Sequence, residues 1–149
     1  MRAIGFVLVS LFLMSNPSLA IAAGSEPVAT EVPEIGQARD ALKKNDYVTA
    51  EGLLRKAVVK DPGSADAWNL LGFSTRKQEK LKEAEEYYLK ALAIDSKHIG
   101  AMEYLGILYV KTGRLEEANA LLARIDKACL FTCEEYTDLK AGIETGKTK

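Results

Sequence analysis

The 149-residue chain has little of what most enzymes and nucleic-acid-binding proteins need. It contains one histidine, one tryptophan, two cysteines and four prolines, and its 20 basic side chains are nearly balanced by 21 acidic ones. Any histidine-containing triad would have to centre on His98, and nothing at repeat spacing singles out a partner serine or carboxylate for it. The balanced charge excludes the clearly basic domain that nucleic-acid binding requires. We therefore expect a chain that is not an enzyme, needs no cofactor and binds no nucleic acid.

The longest apolar run lies at the start of the chain and is too short to cross a membrane. Met1-Arg2 precedes an apolar stretch from Ala3 to Met14, and Asn16-Pro17 interrupts it before the roughly 20 residues that a spanning helix needs. Small residues then follow at the spacing that a signal peptidase reads. We expect residues 1–22 to be a signal peptide, residues 23–33 to be a flexible linker, and the mature chain to have no membrane span. The expected location is the periplasm, with full secretion as the open alternative.

The feature that is present throughout the rest of the chain is a 34-residue period. A period of this length indicates one supersecondary unit copied in series, in which each copy buries its apolar face on the next. Apolar residues at three-to-four spacing predict two helices in each unit, with Gly72 facing Ala84 and Gly106 facing Ala118, and Leu122 filling the space beyond the last pair. The fold class is therefore an all-α solenoid. The columns at this interval are Ala50, Ala84 and Ala118; Leu54, Tyr88 and Leu122; Ala38, Gly72 and Gly106; and Ala41, Thr75 and Tyr109.

The middle unit resembles the tetratricopeptide repeat, a 34-residue helix-turn-helix. On this resemblance we expect a repeat domain over residues 34–145, with units at about 31–64, 65–98 and 99–132 and a capping helix at about 133–145. Ser64, after Pro62, is the expected cap of the second unit. The residues that carry the resemblance are Trp68, Leu71, Gly72, Ala84, Tyr88 and Ala91 in the middle unit, and Gly106, Tyr109 and Ala118 in the last.

The resemblance also implies a partner and a place for it. In this family the first helix of each unit lines a concave groove that holds a protein or peptide partner. Arg39 and Arg76 would offer forked donors to an acidic or carboxylate-ended segment, over an apolar floor that includes Phe73. The alternative is that these are ordinary solvated and packing residues. The residues expected to project into the groove are Arg39, Lys43, Asn69, Phe73, Arg76, Lys77, Glu103, Ile107 and Lys111.

The two cysteines flank the corner between the third unit and the last helix. In an exported chain, Cys129 and Cys133 are expected to form a structural disulfide. Thr132, with Glu135 three residues later, has the pattern of a capping box for a helix that ends near Ile143. One alternative is a redox pair in which the helix dipole stabilises the Cys133 thiolate. Another is a monovalent copper site with His98 as a third ligand, and no other metal site is expected.

Two functions from different classes follow. The first is an exported scaffold that binds a protein or peptide partner in its groove, and the second is a thiol-dependent redox or copper-handling factor that uses the cysteine pair. The final helix carries Tyr136, Leu139 and Ile143 at helical spacing and most simply covers the open end of the third unit. It could instead contact a partner or a second copy, so self-association is left open.

Overall fold

The fold is built from helix pairs in series, and a seventh helix closes the series. The structure is a computed structural model that describes residues 31–131 and 133–147, in which every regular element is an α-helix. The predicted signal peptide, most of the predicted linker and Thr132 lie outside these residues. The seven helices are α1 (Pro33–Lys43), α2 (Tyr47–Lys60), α3 (Ala65–Lys77), α4 (Leu81–Ile94), α5 (Ile99–Lys111), α6 (Leu115–Ala128) and α7 (Glu134–Thr145).

Three helices, α2, α3 and α5, begin at a residue whose side chain accepts a free N–H group of the first turn. Asp46 caps α2 by accepting from the Thr49 N–H at 3.1 Å, and the Ser64 hydroxyl caps α3 as predicted, at 3.2 Å from the Ala67 nitrogen. The capping box expected at the last helix rests on Thr132, which lies outside the described residues. In the structure the N-cap residue of α7 is Cys133, one residue later, and its side chain makes no capping bond.

The turns inside the pairs repeat with the same period as the core. Asn45, Glu79 and Gly113 adopt positive φ angles of 57°, 63° and 77°, which end the first helix of each pair in the left-handed conformation. One residue later, the N–H groups of Asp46, Lys80 and Arg114 donate to carbonyls five residues back. These carbonyls belong to Ala41, Thr75 and Tyr109, one of the 34-residue columns.

Small residues allow the paired helices to approach closely. Ala50, Ala84 and Ala118 are completely buried, and the predicted all-α solenoid is confirmed. Gly72 lies against the ring of Tyr88, where a Cβ atom would come within 2.7 Å of two ring carbons. The Tyr88 ring therefore fills the space that a side chain at position 72 would need.

The equivalent contact in the third unit comes from outside the repeat. A Cβ atom on Gly106 would lie 2.6 Å from a methyl group of Leu139 in α7, and Leu139 is completely buried. α7 packs on α5 and α6, and its Leu139 fills this space. The expectation that Leu122 fills it is therefore wrong. The seventh helix thus closes the apolar end of the third unit.

A buried carboxylate joins the first two units. Glu51 is 8% exposed and accepts hydrogen bonds from Arg55 at 2.9 Å, Gln78 at 2.8 Å and Lys80 at 2.7 Å. Burial acts to raise the pKa of Glu51, but the bonds from Lys80, Arg55 and Gln78 outweigh it and hold the pKa below its ordinary value. The contact ties α2 to the turn between α3 and α4.

No helix in the part of the chain that the structure describes is both long enough and apolar enough to cross a membrane.

Candidate binding surface

The first helices of the units and α7 are joined in series: Arg39 of α1 reaches Asp66 of α3, α3 contacts α5, and α5 packs on α7. We refer to the side of the stack that they form as one face. At one edge of this face, the Asp66 carboxylate in α3 accepts from Arg39 in α1 at 2.6 Å and contacts the His98 ring at 3.1 Å. Burial acts to raise the pKa of Asp66, but the hydrogen bonds from Arg39 and His98 lower it overall. His98 also accepts from the Ala101 N–H and so caps α5. One carboxylate therefore links α1, α3 and α5.

Three tyrosine and phenylalanine rings cross the middle of this face. The Tyr47 and Phe73 ring centroids are 6.2 Å apart, and those of Phe73 and Tyr104 are 5.1 Å apart. All three side chains are half-buried, so part of each ring is open to solvent. We call Tyr47, Phe73 and Tyr104 the aromatic strip. It offers an apolar contact surface running from the start of α2 across α3 to α5.

Arg76 lies beneath the aromatic strip rather than on it. Its guanidinium carbon is 5.5 Å from the Phe73 ring centroid and 5.7 Å from that of Tyr104, and its Nε donates to the Tyr88 hydroxyl at 3.3 Å. The residue is only 4% exposed. Burial of Tyr88 raises the pKa of that hydroxyl, which therefore stays neutral beside Arg76. Arg76 supports the rings from behind, and its access to a partner is limited.

A row of lysines marks one edge of the face. Lys43, Lys77 and Lys111 are the last residues of α1, α3 and α5, at 34-residue spacing, where positive charge is favourable to the helix dipole. The Lys77 nitrogen lies 5.5 Å from the Phe73 ring centroid, and its pKa is lowered first by burial and then by neighbouring Arg76 and Lys111. Lys111 pairs with Glu79 at 2.6 Å.

Carboxylates line the end of the same face that lies toward α7. A cavity of about 190 Å³ lies between α5 and α7, beside the Tyr104 end of the aromatic strip. Burial of Tyr104, followed by the nearby carboxylates, raises the pKa of its hydroxyl. The face is therefore basic along the helix C-termini and acidic at the start of α7. The cavity is lined by Glu103, Tyr104, Glu134, Glu135 and Asp138.

The predicted groove residues fall into two groups. Arg39, Phe73 and Lys77 are half-buried and Lys43 and Lys111 are exposed, so all five can be reached from this face. That any of the nine predicted groove residues contacts a partner remains a prediction. The remaining four are buried: Asn69 at 6% exposure, whose Oδ1 has no hydrogen-bond partner, Arg76 at 4%, Glu103 at 7% and Ile107 at 3%.

The two cysteines come together as predicted. Their Sγ atoms are 2.05 Å apart, which is bonding distance, and their Cα atoms are 6.1 Å apart. Both ring nitrogens of His98 have other partners, Asp66 and the Ala101 N–H. Over residues 31–131 and 133–147, no group of three histidine, cysteine or acidic side chains is arranged to hold a metal ion.

Two features of the surface were not expected from the sequence. Tyr47 and Tyr104 complete the aromatic strip, although only Phe73 was predicted to line the groove. Leu130 and Phe131, between the two cysteines, are 94% and 88% exposed. The sequence did offer a signal for the exposed pair. These two bulky apolar residues lie in a five-residue corner that belongs to no repeat column.

Comparison with known proteins agrees with this architecture. Models of the tetratricopeptide repeat match residues 35–99 and 76–143. Cellulose synthase operon protein C of Xanthomonas axonopodis pv. citri is 35% identical over 95 residues, which are 64% of this chain and 6% of that protein. Type IV pilus assembly protein PilF of Pseudomonas aeruginosa is 33% identical over 103 residues, which cover 64% of this chain and 41% of that protein. The chain thus spans less than half the length of either relative.

A solved structure shows the same fold. The type III secretion chaperone SycD of Yersinia enterocolitica, in complex with a peptide of the translocator YopD, superposes with a TM-score of 0.66 at 16% identity. The match covers 76% of this chain and 86% of that chain. This likeness shows the fold, and the two repeat models, which together span residues 35–143, show that the chain belongs to the tetratricopeptide repeat family.

Proposed function

We propose that this chain is an exported scaffold, without catalytic activity, that binds a segment of a partner protein across the face formed by α1, α3, α5 and α7. The observation that carries the proposal is the aromatic strip. Tyr47, Phe73 and Tyr104 leave apolar ring surface open in the middle of a face that is otherwise charged. Aromatic residues are enriched at protein interfaces, and tyrosine is among the residues that contribute most binding energy there.

The charges around the strip suggest the chemistry of the segment. The lysine row favours acidic side chains along one edge, most directly at Lys77, because Lys43 and Lys111 already pair with Asp40 and Glu79. The carboxylates beside α7 disfavour acidic side chains there. We therefore expect a segment with an apolar residue on Phe73, acidic residues facing Lys77 and Lys111, and neutral or basic residues toward α7. This arrangement would also fix the direction in which the segment lies.

The related proteins support a binding role of this kind. The SycD structure holds a peptide of another protein, and PilF is named for its part in pilus assembly. The apolar start of the chain, residues 3–14, supports export, and we place the mature protein in the periplasm. An assembly role in the cell envelope is consistent with both observations.

A selection from a random peptide library tests the proposal. The chain is immobilised, bound peptides are sequenced, and their affinities are measured for wild type and two variants of equal charge change. Lys77→Glu/Lys111→Glu reverses the lysine row, whereas Lys56→Glu/Lys82→Glu reverses two exposed lysines on the second helices. Arg76 is left unchanged because it supports the rings from within.

We expect selected peptides to be acidic and to lose at least about tenfold in affinity with the first variant but not with the second. Phe73→Ala should weaken the same peptides through lost ring contact. Peptides that bind both charge variants equally well would place the binding surface elsewhere on the chain.

A further inference from the structure

The corner between α6 and α7 presents two large apolar side chains to solvent. Leu130 and Phe131 are adjacent in sequence and almost fully exposed, and the cysteines on either side of the corner are within bonding distance of each other. The other exposed large apolar residues in the described part of the chain each stand apart from one another in the sequence. They are Val48, Val59, Leu89, Ile94 and Leu115.

Beside this apolar pair lies a recess with a cationic rim. The recess has a volume of about 360 Å³, and Ile99, Met102 and Ala128 form its apolar floor. Three cations, Lys97, Arg124 and Lys127, line it as well. The recess ends at Ala128, two residues before Leu130, so the cations and the apolar pair lie at the same corner.

The three cations of the recess form no ion pair with a carboxylate in the part of the chain that the structure describes. Arg39, Arg55 and Arg114 each pair with carboxylates, whereas Arg124 donates only to the Ser96 carbonyl, at 2.9 Å. Within residues 31–131 and 133–147, neither Lys97 nor Lys127 forms an ion pair. The carboxylates that follow in sequence, Glu134 and Glu135, line the cavity beside Tyr104 instead. Asp95 lies close to Lys97, where it accepts from the backbone N–H at 2.9 Å, but no residue that lines the recess is acidic. The lining itself therefore carries positive charge.

We propose that this corner binds the surface of an anionic phospholipid bilayer. Leu130 and Phe131 enter the boundary between headgroups and acyl chains, and Lys97, Arg124 and Lys127 contact the lipid phosphates. An apolar side-chain pair with cations to one side of it matches the order of layers in such a membrane, in which negative headgroups lie above hydrocarbon. The surface is separate from the aromatic strip, so one chain can hold a partner segment and a membrane together.

Charge distinguishes the bilayer from a second copy of the chain. The apolar pair and the recess lie side by side, so two copies could in principle exchange them about a two-fold axis. That arrangement would bring together two recesses that are each lined by three cations and no carboxylate, and like charges repel. An anionic membrane accepts the apolar pair and neutralises the cations at once.

The test uses the full chain with a tryptophan placed in the corner. Phe131→Trp and the control Val59→Trp both add a tryptophan at an exposed apolar position, the control being 81% exposed on α2. Each is mixed with vesicles of phosphatidylglycerol and phosphatidylethanolamine whose acyl chains carry bromine, which quenches tryptophan on contact. This measurement reports the depth of the corner even if the apolar residues 3–14 also bind vesicles.

We expect quenching of Phe131→Trp in the anionic vesicles, little quenching in phosphatidylcholine vesicles, and none beyond the wild-type level for Val59→Trp. Adding Lys97→Gln/Arg124→Gln/Lys127→Gln to Phe131→Trp should reduce vesicle affinity at least about tenfold. The matched change Lys44→Gln/Lys56→Gln/Lys82→Gln should leave it within about twofold, because these exposed lysines lie away from the corner.

Three results would overturn the proposal. The first is an unquenched Phe131→Trp, and the second is equal quenching of Phe131→Trp and Val59→Trp. The third is a change in Phe131→Trp emission that follows protein concentration without vesicles, which would assign the corner to self-association. If Leu130→Ser/Phe131→Ser abolishes capture of a protein while vesicles leave Phe131→Trp unchanged, the corner is a protein-docking site and not a membrane one.

Discussion

The ring of Tyr88 rests on the backbone of Gly72, with no room between them for a methyl group. A Cβ atom placed on Gly72 would lie 2.7 Å from both Cδ1 and Cε1 of that ring, and Tyr88 is completely buried. The ring is rigid, its centroid is 6.2 Å from that of Tyr104, and its hydroxyl accepts from Arg76. Tyr88 therefore takes part in two contacts at once: its ring packs α4 closely on α3, and it also meets Tyr104 and Arg76 at the underside of the aromatic strip.

Gly72→Ala is expected to destabilise the chain by about 1–3 kcal/mol, because Tyr88 must move to admit the methyl group. The measurement is urea unfolding followed by circular dichroism at 222 nm. Gly52→Ala is the matched control, since no atom lies within 4 Å of the added Cβ in α2. The control should stabilise by about 0.5–1 kcal/mol through helix propensity. Equal effects of the two changes would contradict the packing described at Tyr88.

Leu139→Ala is expected to cost about 2–5 kcal/mol and to loosen α7 more than α1, because it empties a fully buried site on α5. Hydrogen exchange resolved by segment measures the loss. Leu115→Ala, at 43% exposure, is the control and should cost less than about 1 kcal/mol.

A double-mutant cycle sharpens this prediction. Gly106→Ala should destabilise wild type more than it destabilises Leu139→Ala, because the leucine methyl groups that crowd the new Cβ are then absent. Strict additivity of the two changes would show that the residues are not in contact.

Glu51→Gln should lower stability at neutral pH by about 1.5 kcal/mol, the low end for hydrogen bonds to charged groups, since Arg55 and Lys80 are partly solvated. Because the folded-state pKa of Glu51 is lowered, its contribution is present above the unfolded-state value, near 4.5, and is lost as pH falls through the folded-state pKa. Wild type should therefore lose more stability than the variant between pH 7 and pH 3. Glu86→Gln, on the exposed side of α4, is the control and should give a pH profile parallel to that of wild type.

Cys129→Ser/Cys133→Ser separates the structural interpretation of the cysteine pair from the redox or copper-handling alternative. A closed loop of five residues predicts a loss of about 2 kcal/mol by the chain-entropy argument. We expect a lower unfolding midpoint and unchanged affinity for peptides selected on the wild type. A variant of unchanged stability that no longer performs its function in the cell would favour the thiol alternative.

The repeat columns were sufficient to predict the helix pairs because the same packing recurs every 34 residues. Ala50, Ala84 and Ala118 are buried to the same extent, and Ser64 caps α3 as expected. The contact of Gly106 with Leu139 could not be predicted in this way, because α7 follows the last complete unit and its packing has no column to repeat. The N-cap of α7 was misplaced by one residue for the same reason.

The candidate surface was harder to predict than the fold. Helical spacing places Arg76, Asn69 and Ile107 on the face, but the neighbouring helix and the rings decide whether a side chain on that face reaches solvent. Arg76 is covered by Phe73 and Tyr104, which come from α3 and α5. Such coverage depends on the rotation of adjacent units about the stack axis, which the period alone does not specify.

Asp66 has a mechanical consequence for the stack. One of its oxygens holds Arg39 and the other holds His98, the N-cap residue of α5, so a single carboxylate crosslinks α1, α3 and α5 along one edge. A ligand that opens the stack at this edge must stretch both contacts together, whereas a ligand that closes the stack at this edge leaves both in place. Opening at the Asp66 edge is therefore resisted across all three first helices, whereas the Lys111–Glu79 pair at the lysine row joins only the second and third units.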